Sequence, residues 1–126
     1  MRLIYFRQRD FPCQNLYSLS NTLNFYDLVQ YLNCLFVWEQ KNSLLPTVFD
    51  RYFVGRNICG HNLRSVTFNN LTVPLKQTLK FGINSITYQC ILSWNTLPNN
   101  MKTDPGLLHS KKLFKKTLTT YFTDKQ

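Results

Sequence analysis

Apolar residues recur at helical spacing between residues 24 and 41, and this is the strongest helix pattern in the chain. The stripe consists of Leu28, Leu32 and Leu35, with Val29 and Tyr31 beside it. Asn24 suits the N-cap position, and Asp27 three residues later resembles a capping box. Polar residues after Trp38 end the pattern. The pattern therefore predicts a helix over residues 24–41 whose leucine stripe packs in the core.

Two further stretches with helical spacing lie in the second half of the chain. Ile86, Cys90, Ile91 and Trp94 share one helical face, and Asn84 or Ser85 can cap it. Because Ile and Thr lower helix propensity there, a buried strand is the alternative, and in either case we expect Trp94 to be a core anchor. From Ser110 onward, Phe114, Leu118 and Phe122 recur every four residues, with Leu107 in phase before them. The second stretch predicts a last helix from Ser110 to about Phe122.

The remaining segments predict shorter or irregular structure. Residues 45–53 suggest a second, shorter helix with Pro46 at its first position, and residues 61–82 read as loop with short extended pieces. Leu97-Pro98 and Pro105-Gly106 are expected breaks. The predicted fold is mostly α: residues 1–126 form a single small domain or fragment of three to four helices, with room for a short β element around residues 62–82.

The charge of the chain is positive and unevenly distributed. Its 126 residues and 15.0 kDa suit one domain, and the formal net charge is +9. Residues 1–63 carry 6 basic and 4 acidic side chains, whereas residues 64–126 carry 9 basic and 2 acidic ones. A basic half attracts polyanions such as nucleic acid or an anionic membrane surface, and it can equally be a solvated face without a partner.

Four lysines of the last predicted helix are the candidate binding residues. Lys111, Lys112, Lys115 and Lys116 span about a turn and a half of helix, so that each can neutralise a phosphate. Arg64 is a candidate helper in the same basic half. The alternative is that these lysines are a solvated face. The aromatic stripe of the same helix is expected to be buried rather than to stack on bases.

Enzymatic and metal chemistry have little support. The six acidic residues are scattered, the four glycines form no phosphate loop, and His61 and His109 are more often structural or surface residues. Cys59 and His61 could supply half a metal site, without a visible second half. We therefore expect no catalytic residue, metal, cofactor or small-molecule substrate.

The cysteines and the apolar runs bear on the location of the chain. The four cysteines form no C-x-x-C pair, which favours buried free thiols and an intracellular protein, cytoplasmic or nuclear and not secreted. The longest apolar run, Leu35 to Trp38, is far too short to cross a membrane. We therefore expect no membrane partner.

An ordered series of sequence blocks runs through the second half. The blocks are His61-Asn62-Leu63-Arg64-Ser65, Asn70, Val73-Pro74, Lys80-Phe81-Gly82-Ile83-Asn84-Ser85-Ile86-Thr87-Tyr88 and Trp94-Asn95-Thr96-Leu97-Pro98. In order and spacing they resemble the region downstream of the polymerase core in reverse transcriptases of LINE-type, jockey-like non-LTR retrotransposons. A lysine-rich amphipathic helix ends that region in the family, as Phe114-Lys115-Lys116 and Leu118 do here.

The resemblance extends upstream and covers residues 16–122, which leaves residues 1–15 as a terminal arm. The upstream blocks are Leu23-Asn24-Phe25-Tyr26-Asp27-Leu28, Asn33-Cys34-Leu35-Phe36-Val37, Asn42-Ser43-Leu44-Leu45-Pro46 and Phe49-Asp50-Arg51-Tyr52-Phe53. Two departures stand out. Cys90 and Ile91 replace a small residue and a proline that often follow the family's tyrosine, and Leu107 stands further ahead of Phe114 than the family pattern places it.

The resemblance implies a non-catalytic remnant of a larger enzyme. The family's polymerase carries paired aspartates that hold two metal ions, and no Asp-Asp pair occurs here. The chain is thus expected not to be an enzyme itself, although its parent would be an RNA-directed DNA polymerase. The expected partners are RNA or DNA and the polymerase core of the parent. The alternatives are a structural module that packs on that core without binding nucleic acid, and an independent domesticated nucleic-acid-binding protein.

Overall fold

The computed structural model describes residues 12–20, 22–55, 69–75, 82 and 85–125, and these are mostly helical. The helices are α1 (Cys13–Ser20), α2 (Phe25–Lys41), α3 (Ile86–Thr96), α4 (Asn99–Thr103), α5 (Pro105–His109) and α6 (Lys111–Asp124), with one 3₁₀ turn at Thr47–Phe49. The predicted mostly-α class is confirmed. The helices outnumber the expected three to four because α1 precedes α2 and because two five-residue helices form between α3 and α6.

The short β element expected around residues 62–82 is limited, in the described part of that stretch, to one bridge. Gly55 and Leu71 form an isolated antiparallel bridge, and the N–H of Thr72 donates to the carbonyl of Val54 at 2.9 Å. Most of the predicted stretch lies outside the described residues. Residues 69–75 therefore run beside the end of the segment that follows α2, without forming a sheet.

Helix α2 begins and ends with side-chain caps. The Oδ1 of Asn24 accepts from the N–H of Asp27 at 2.9 Å, while its Nδ2 donates to the Asp27 carboxylate at 2.7 Å. At the other end, Asn42 Nδ2 donates to the carbonyl of Trp38 at 2.9 Å, and Ser43 takes a left-handed conformation with φ 55°. The predicted helix and its N-cap are confirmed.

The predicted buried face of α2 is wrong. Its buried residues are Asn33, Cys34, Val37 and Trp38. By contrast, Leu28 is 42% exposed and Leu32 is 52% exposed, and only Leu35 and Tyr31 of the predicted stripe pack partly against the core. Apolar residues surround most of α2, so their spacing does not single out one face.

A polar contact with α3 fixes the face that α2 buries. Asn33 Nδ2 donates to Ser93 Oγ at 3.3 Å, and the Cys90 thiol donates to Asn33 Oδ1 at 3.5 Å. Asn33 and Ser93 are buried, and a buried amide without partners costs free energy. The rotation of α2 that satisfies Asn33 therefore leaves Leu28 and Leu32 toward solvent.

Helix α3 forms where the helical alternative predicted it, so the buried-strand alternative is wrong. The Ser85 hydroxyl caps it by accepting from the N–H of Tyr88 at 3.4 Å. Cys90, Ile91 and Trp94 are buried as expected, but Ile86 is 67% exposed. Helical side chains lean toward the N-terminus, so the side chain of a first residue extends beyond its helix.

The segment between α3 and α6 corrects two further predictions. Leu97-Pro98 ends α3 as expected, but Pro105 does not break the chain: it begins α5, and the Asp104 carboxylate caps that helix by accepting from the N–H of Gly106 at 2.8 Å. Leu107 belongs to α5 rather than to the last helix, because Ser110 has extended angles of φ −112° and ψ 105°. Leu107 is nevertheless buried.

The expected shorter helix at residues 45–53 is reduced to the 3₁₀ turn, with Pro46 just before it. Phe36 of α2 holds this segment, since its ring packs edge-on against Phe49 at 5.4 Å and against Phe53 at 5.9 Å between centroids. Among the described residues, no helix has the length and apolarity that crossing a membrane requires.

Three aromatic rings form the centre of the core. Phe114 of α6 stacks on Trp38 with 5.6 Å between centroids and lies 6.3 Å from the ring of Trp94. Each indole N–H meets a backbone carbonyl: Trp38 donates to Leu107 at 3.1 Å and Trp94 donates to Asn69 at 3.0 Å. Trp94 is fully buried, as expected of a core anchor. This cluster joins α2, α3 and α6.

Candidate nucleic-acid interface

Helix α6 presents its apolar stripe to the core, as predicted. Phe114, Leu118 and Phe122 are buried, and the Ser110 hydroxyl caps the helix by accepting from the N–H of Leu113 at 3.4 Å. The helix carries its four lysines in its first half. This position is unfavourable for the helix, because the positive end of the dipole faces cations there.

The four lysines do not share one orientation around α6. At about 100° per residue, Lys111 lies roughly 20° from the centre of the buried stripe, Lys115 roughly 60° and Lys112 roughly 120°, while Lys116 is nearly opposite at roughly 160°. Lys112, Lys115 and Lys116 are exposed. Lys112 and Lys116 are thus the two that point most directly away from the core.

Lys111 is held by α2 rather than left to solvent. Its Nζ lies 2.6 Å from Oε1 of Glu39, with 47% and 23% of the two side chains exposed. This pair follows from the helical position, because Lys111 is on the side of α6 that faces α2. Of the predicted binding residues on α6, Lys111 is therefore the one already paired with a carboxylate.

The second half of α6 is nearly neutral. The hydroxyls of Thr117, Thr119, Thr120 and Thr123 each donate to the carbonyl four residues earlier, at 2.9 to 3.1 Å. The acidic residue of the helix, Asp124, is at its end. The positive charge of α6 is thus confined to one end, beside the turn at Ser110.

The fifth predicted site residue, Arg64, lies outside the described residues. Two other lysines that the sequence did not single out have defined surroundings. Lys41 ends α2, and its Nζ lies 5.4 Å from the centroid of the Trp94 ring. Lys102 of α4 is buried. Its neighbours along the preceding sequence are uncharged, and no pattern among them predicts this burial.

Lys102 is fastened by uncharged acceptors. Its Nζ donates to Asn70 Oδ1 at 2.7 Å and to the carbonyl of Asn95 at 3.3 Å. Loss of hydration on burial lowers its pKa, an effect that the neighbouring Cys34 thiol opposes. The same loss of hydration lowers the pKa of Lys41, whose ammonium lies against the indole although the residue as a whole is exposed.

The buried cysteines are not nucleophiles at neutral pH. Burial raises the pKa of the Cys34 thiol to about 12, and the nearby Cys90 adds to that rise. Burial likewise raises the pKa of Cys90 to about 11. A protonated thiol is a poor nucleophile, so both act as small core residues. The expected buried free thiols are confirmed at these two positions. Cys13 is exposed, and Cys59 lies outside the described residues.

The half metal site suggested by Cys59 and His61 also lies outside the described residues. In the part of the chain that the structure describes, no group of three or more His, Cys, Asp or Glu side chains could hold a metal ion. His109 is an exposed residue at the end of α5. Its position agrees with the surface reading of that histidine.

One block that carries the family resemblance, Trp94-Asn95-Thr96-Leu97-Pro98, lies at the end of α3, whereas the block at residues 61–65 lies outside the described residues. Trp94, Asn95, Leu97 and Pro98 anchor the end of α3, and Asn95 also holds the backbone at Leu71. No family model matches the chain, and neither a curated protein nor a solved structure matches it. The resemblance therefore rests on the sequence blocks themselves.

Proposed function

We propose that this chain is a non-catalytic segment of a LINE-type retrotransposon reverse transcriptase that helps to hold RNA or DNA through α6. The observation that carries the binding role is the arrangement of that helix. Its aromatic stripe is buried, while Lys112, Lys115 and Lys116 are exposed at one end. Three exposed ammonium groups at one end of a helix attract phosphates and release the counterions of the nucleic acid.

The cost of this arrangement supports the proposal. Lys112 lies in the first turn of α6, where a cation opposes the helix dipole at a cost of about 0.3–1 kcal/mol. A polyanion at that end would remove the penalty, since both the lysines and the positive end of the dipole would then face negative charge. A solvated face has no comparable reason for placing its cations there.

A salt titration tests the binding role. Affinity for a single-stranded RNA and for a DNA duplex is measured at several salt concentrations for the wild type and for the triple variant with Gln at 112, 115 and 116. The slope of log affinity against log salt should fall by about 0.9 per lysine on the duplex and by about 0.7 on the single strand. Sequence preference should be weak, because phosphate contacts carry no base information.

Single variants supply the matched control. Lys116→Gln and Lys125→Gln remove one positive charge each, but Lys125 lies beyond the end of α6. We expect the slope to change for Lys116→Gln and to stay close to that of the wild type for Lys125→Gln. Equal slopes for the wild type and the folded triple variant would contradict the proposal and leave the lysines as a solvated face.

The assignment to a reverse transcriptase has its own test, which does not involve binding. The genomic DNA upstream of this coding sequence should contain an intact or decayed polymerase reading frame with a paired-aspartate motif. An upstream region without any trace of such a frame would contradict the assignment. The nucleic-acid interface would then belong to an independent protein.

The second candidate is an interaction module that packs on the polymerase core and binds no nucleic acid. The observation that favours it is the exposed apolar side of α2, which comprises Phe25, Tyr26, Leu28, Val29 and Leu32. If this candidate is right, Leu28→Gln with Leu32→Gln should abolish co-purification with a co-expressed polymerase core. The lysine variants should leave that co-purification unchanged.

A further inference from the structure

A cavity next to the aromatic core is lined by positive and neutral side chains. It has a volume of about 320 Å³ and lies between the end of α2, the turn at residues 69–70 and helices α4 and α5. Its lining consists of Lys41, Asn42, Asn69, Lys102, Thr103, Pro105, Leu108 and His109. Among the described residues, no carboxylate contributes to this lining.

Lys102 is buried at this cavity without an acidic partner. It is 1% exposed, and its ammonium donates to one amide oxygen and one carbonyl oxygen. An ammonium has three N–H donors, so one donor is left over after these two described contacts. Burying an unpaired charge is costly, and proteins usually pair it. Among the described residues, Lys102 forms no ion pair.

Lys41 adds a second cation to the same cavity. Its ammonium lies over the buried ring of Trp94, which restrains its position, and it too forms no ion pair among the described residues. Two acidic residues lie close along the chain, Glu39 two before Lys41 and Asp104 two after Lys102. Glu39 is paired with Lys111, and Asp104 stands between two lining residues. The Asp104 carboxylate accepts from the N–H of Gly106 at the start of α5.

We propose that this cavity binds a phosphate group, held between the ammonium groups of Lys41 and Lys102. Phosphate oxygens are strong acceptors for charged donors, so Lys41 would contact them directly. Lys102, which is 1% exposed, would attract them through its unpaired charge. Asn42 and Asn69 stand in the same lining. The Nδ2 of each already donates to a carbonyl, that of Trp38 and that of Lys102, so each amide has one further N–H to offer. Pro105 and Leu108 give the cavity an apolar side. That side suits the organic part of a phosphomonoester.

This site is separate from the interface proposed on α6. None of the α6 lysines contributes to its lining, and neither Lys41 nor Lys102 lies on that helix. The two proposals can therefore fail independently. The triple α6 variant should lose nucleic-acid affinity and keep phosphate binding.

The test is a titration of the purified chain with inorganic phosphate, against sodium chloride at matched ionic strength. Binding is followed by the fluorescence of the tryptophans and by the NMR shifts of the lysine ε-methylene groups. We expect saturable binding with shifts at Lys41 and Lys102, and a loss of about tenfold or more in affinity for Lys41→Met, the usual order for one charged hydrogen bond. The matched control, Lys125→Met, should bind as the wild type does.

Two oligonucleotide probes identify the source of the phosphate. A short single strand with a 5′-phosphate is compared with the same strand carrying a 5′-hydroxyl. Tighter binding of the phosphorylated strand, lost in Lys41→Met, would assign the site to a nucleic-acid end, and binding of inorganic phosphate alone would assign it to a free phosphate compound. The proposal is overturned if phosphate acts no differently from chloride and the two strands bind equally, or if folded Lys41→Met binds phosphate like the wild type.

Discussion

Asn95 holds the backbone of Leu71 with both atoms of its side-chain amide. Its Oδ1 accepts from the N–H of Leu71 at 2.8 Å, and its Nδ2 donates to the Leu71 carbonyl at 3.0 Å. A neighbouring strand would satisfy the two groups in the same way. A helix residue therefore replaces a strand partner, and Leu71 is buried although no sheet forms in the described residues around it.

Asn95→Ala should destabilise the chain markedly. The substitution leaves a donor and an acceptor of Leu71 without partners, at a cost of about 1–3 kcal/mol for each group that stays buried. Urea unfolding followed by circular dichroism measures the change. Asn100→Ala, an exposed asparagine in α4, is the matched control and should change the free energy of unfolding by less than about 0.5 kcal/mol. Equal stability of the two variants would show that the contact is dispensable.

Trp94 allows packing and hydrogen bonding to be separated. Trp94→Ala should cost about 3–5 kcal/mol because it empties the centre of the core. Trp94→Phe keeps most of the apolar surface but removes the donor to Asn69, so it should cost about 1–3 kcal/mol. Thermal and urea unfolding compare the two. A Trp94→Ala variant that melts near the wild type would contradict the central position of the ring.

The pair between Lys111 and Glu39 should govern binding more than stability. Partly exposed ion pairs contribute about 0–1 kcal/mol, so Glu39→Gln should barely change the free energy of unfolding. The same variant frees Lys111, and the salt slope on duplex DNA should steepen by up to about 0.9. Asp50 is an exposed acidic residue in the turn that follows α2. Asp50→Asn removes the same charge and should leave the slope closer to that of the wild type.

The buried thiols predict a loss of stability at alkaline pH. The pKa of the Cys34 thiol rises from 9.0 in the unfolded chain to about 12 in the fold. The stabilisation that comes from keeping this thiol protonated in the core is therefore complete below pH 9 and is lost between pH 9 and 12. In that range the stability advantage of the wild type over Cys34→Ala should shrink by about 1.4 kcal/mol per pH unit. A difference between the wild type and Cys34→Ala that stays constant from pH 9 to pH 12 would contradict the prediction.

The sequence predicted helices better than the faces that they bury. The caps predicted at Asn24 and Ser85 depend on local side-chain chemistry, and both are confirmed. The rotation of α2 depends on Asn33 meeting Ser93, sixty residues away, which no local pattern contains. Where the apolar residues surround a helix, spacing cannot decide which side meets the core.

The candidate interface also combines features that local spacing predicts with features that it does not predict. The burial of Phe114, Leu118 and Phe122 followed from their strict spacing, and so did the outward position of Lys112 and Lys116. The pairing of Lys111 and the burial of Lys102 did not, because each depends on residues of another segment that come close only in the fold. Whether a lysine is paired or buried therefore depends on residues that are distant in the sequence.

The exposed side of α2 provides a direct check of this correction. Leu32→Gln should change the free energy of unfolding by less than about 0.5 kcal/mol, since Leu32 is half exposed. Val37→Ala on the buried face of the same helix should cost about 1 kcal/mol or more, because it opens a small cavity. Urea unfolding of both variants decides the face, and a greater cost at Leu32 would restore the leucine stripe.

The indole of Trp38 has its hydrogen-bond acceptor at Leu107, 69 residues later in the chain. A ribosome adds about 5–20 residues per second, so α2 waits roughly 3–14 s between its own synthesis and that of the residue that completes its contact. During that interval its apolar surface is open on two sides, the one that the core later covers and the one that stays exposed. We therefore expect the apolar surface of the nascent chain to be accessible to chaperones until α6 emerges and Phe114 can contact the two indoles.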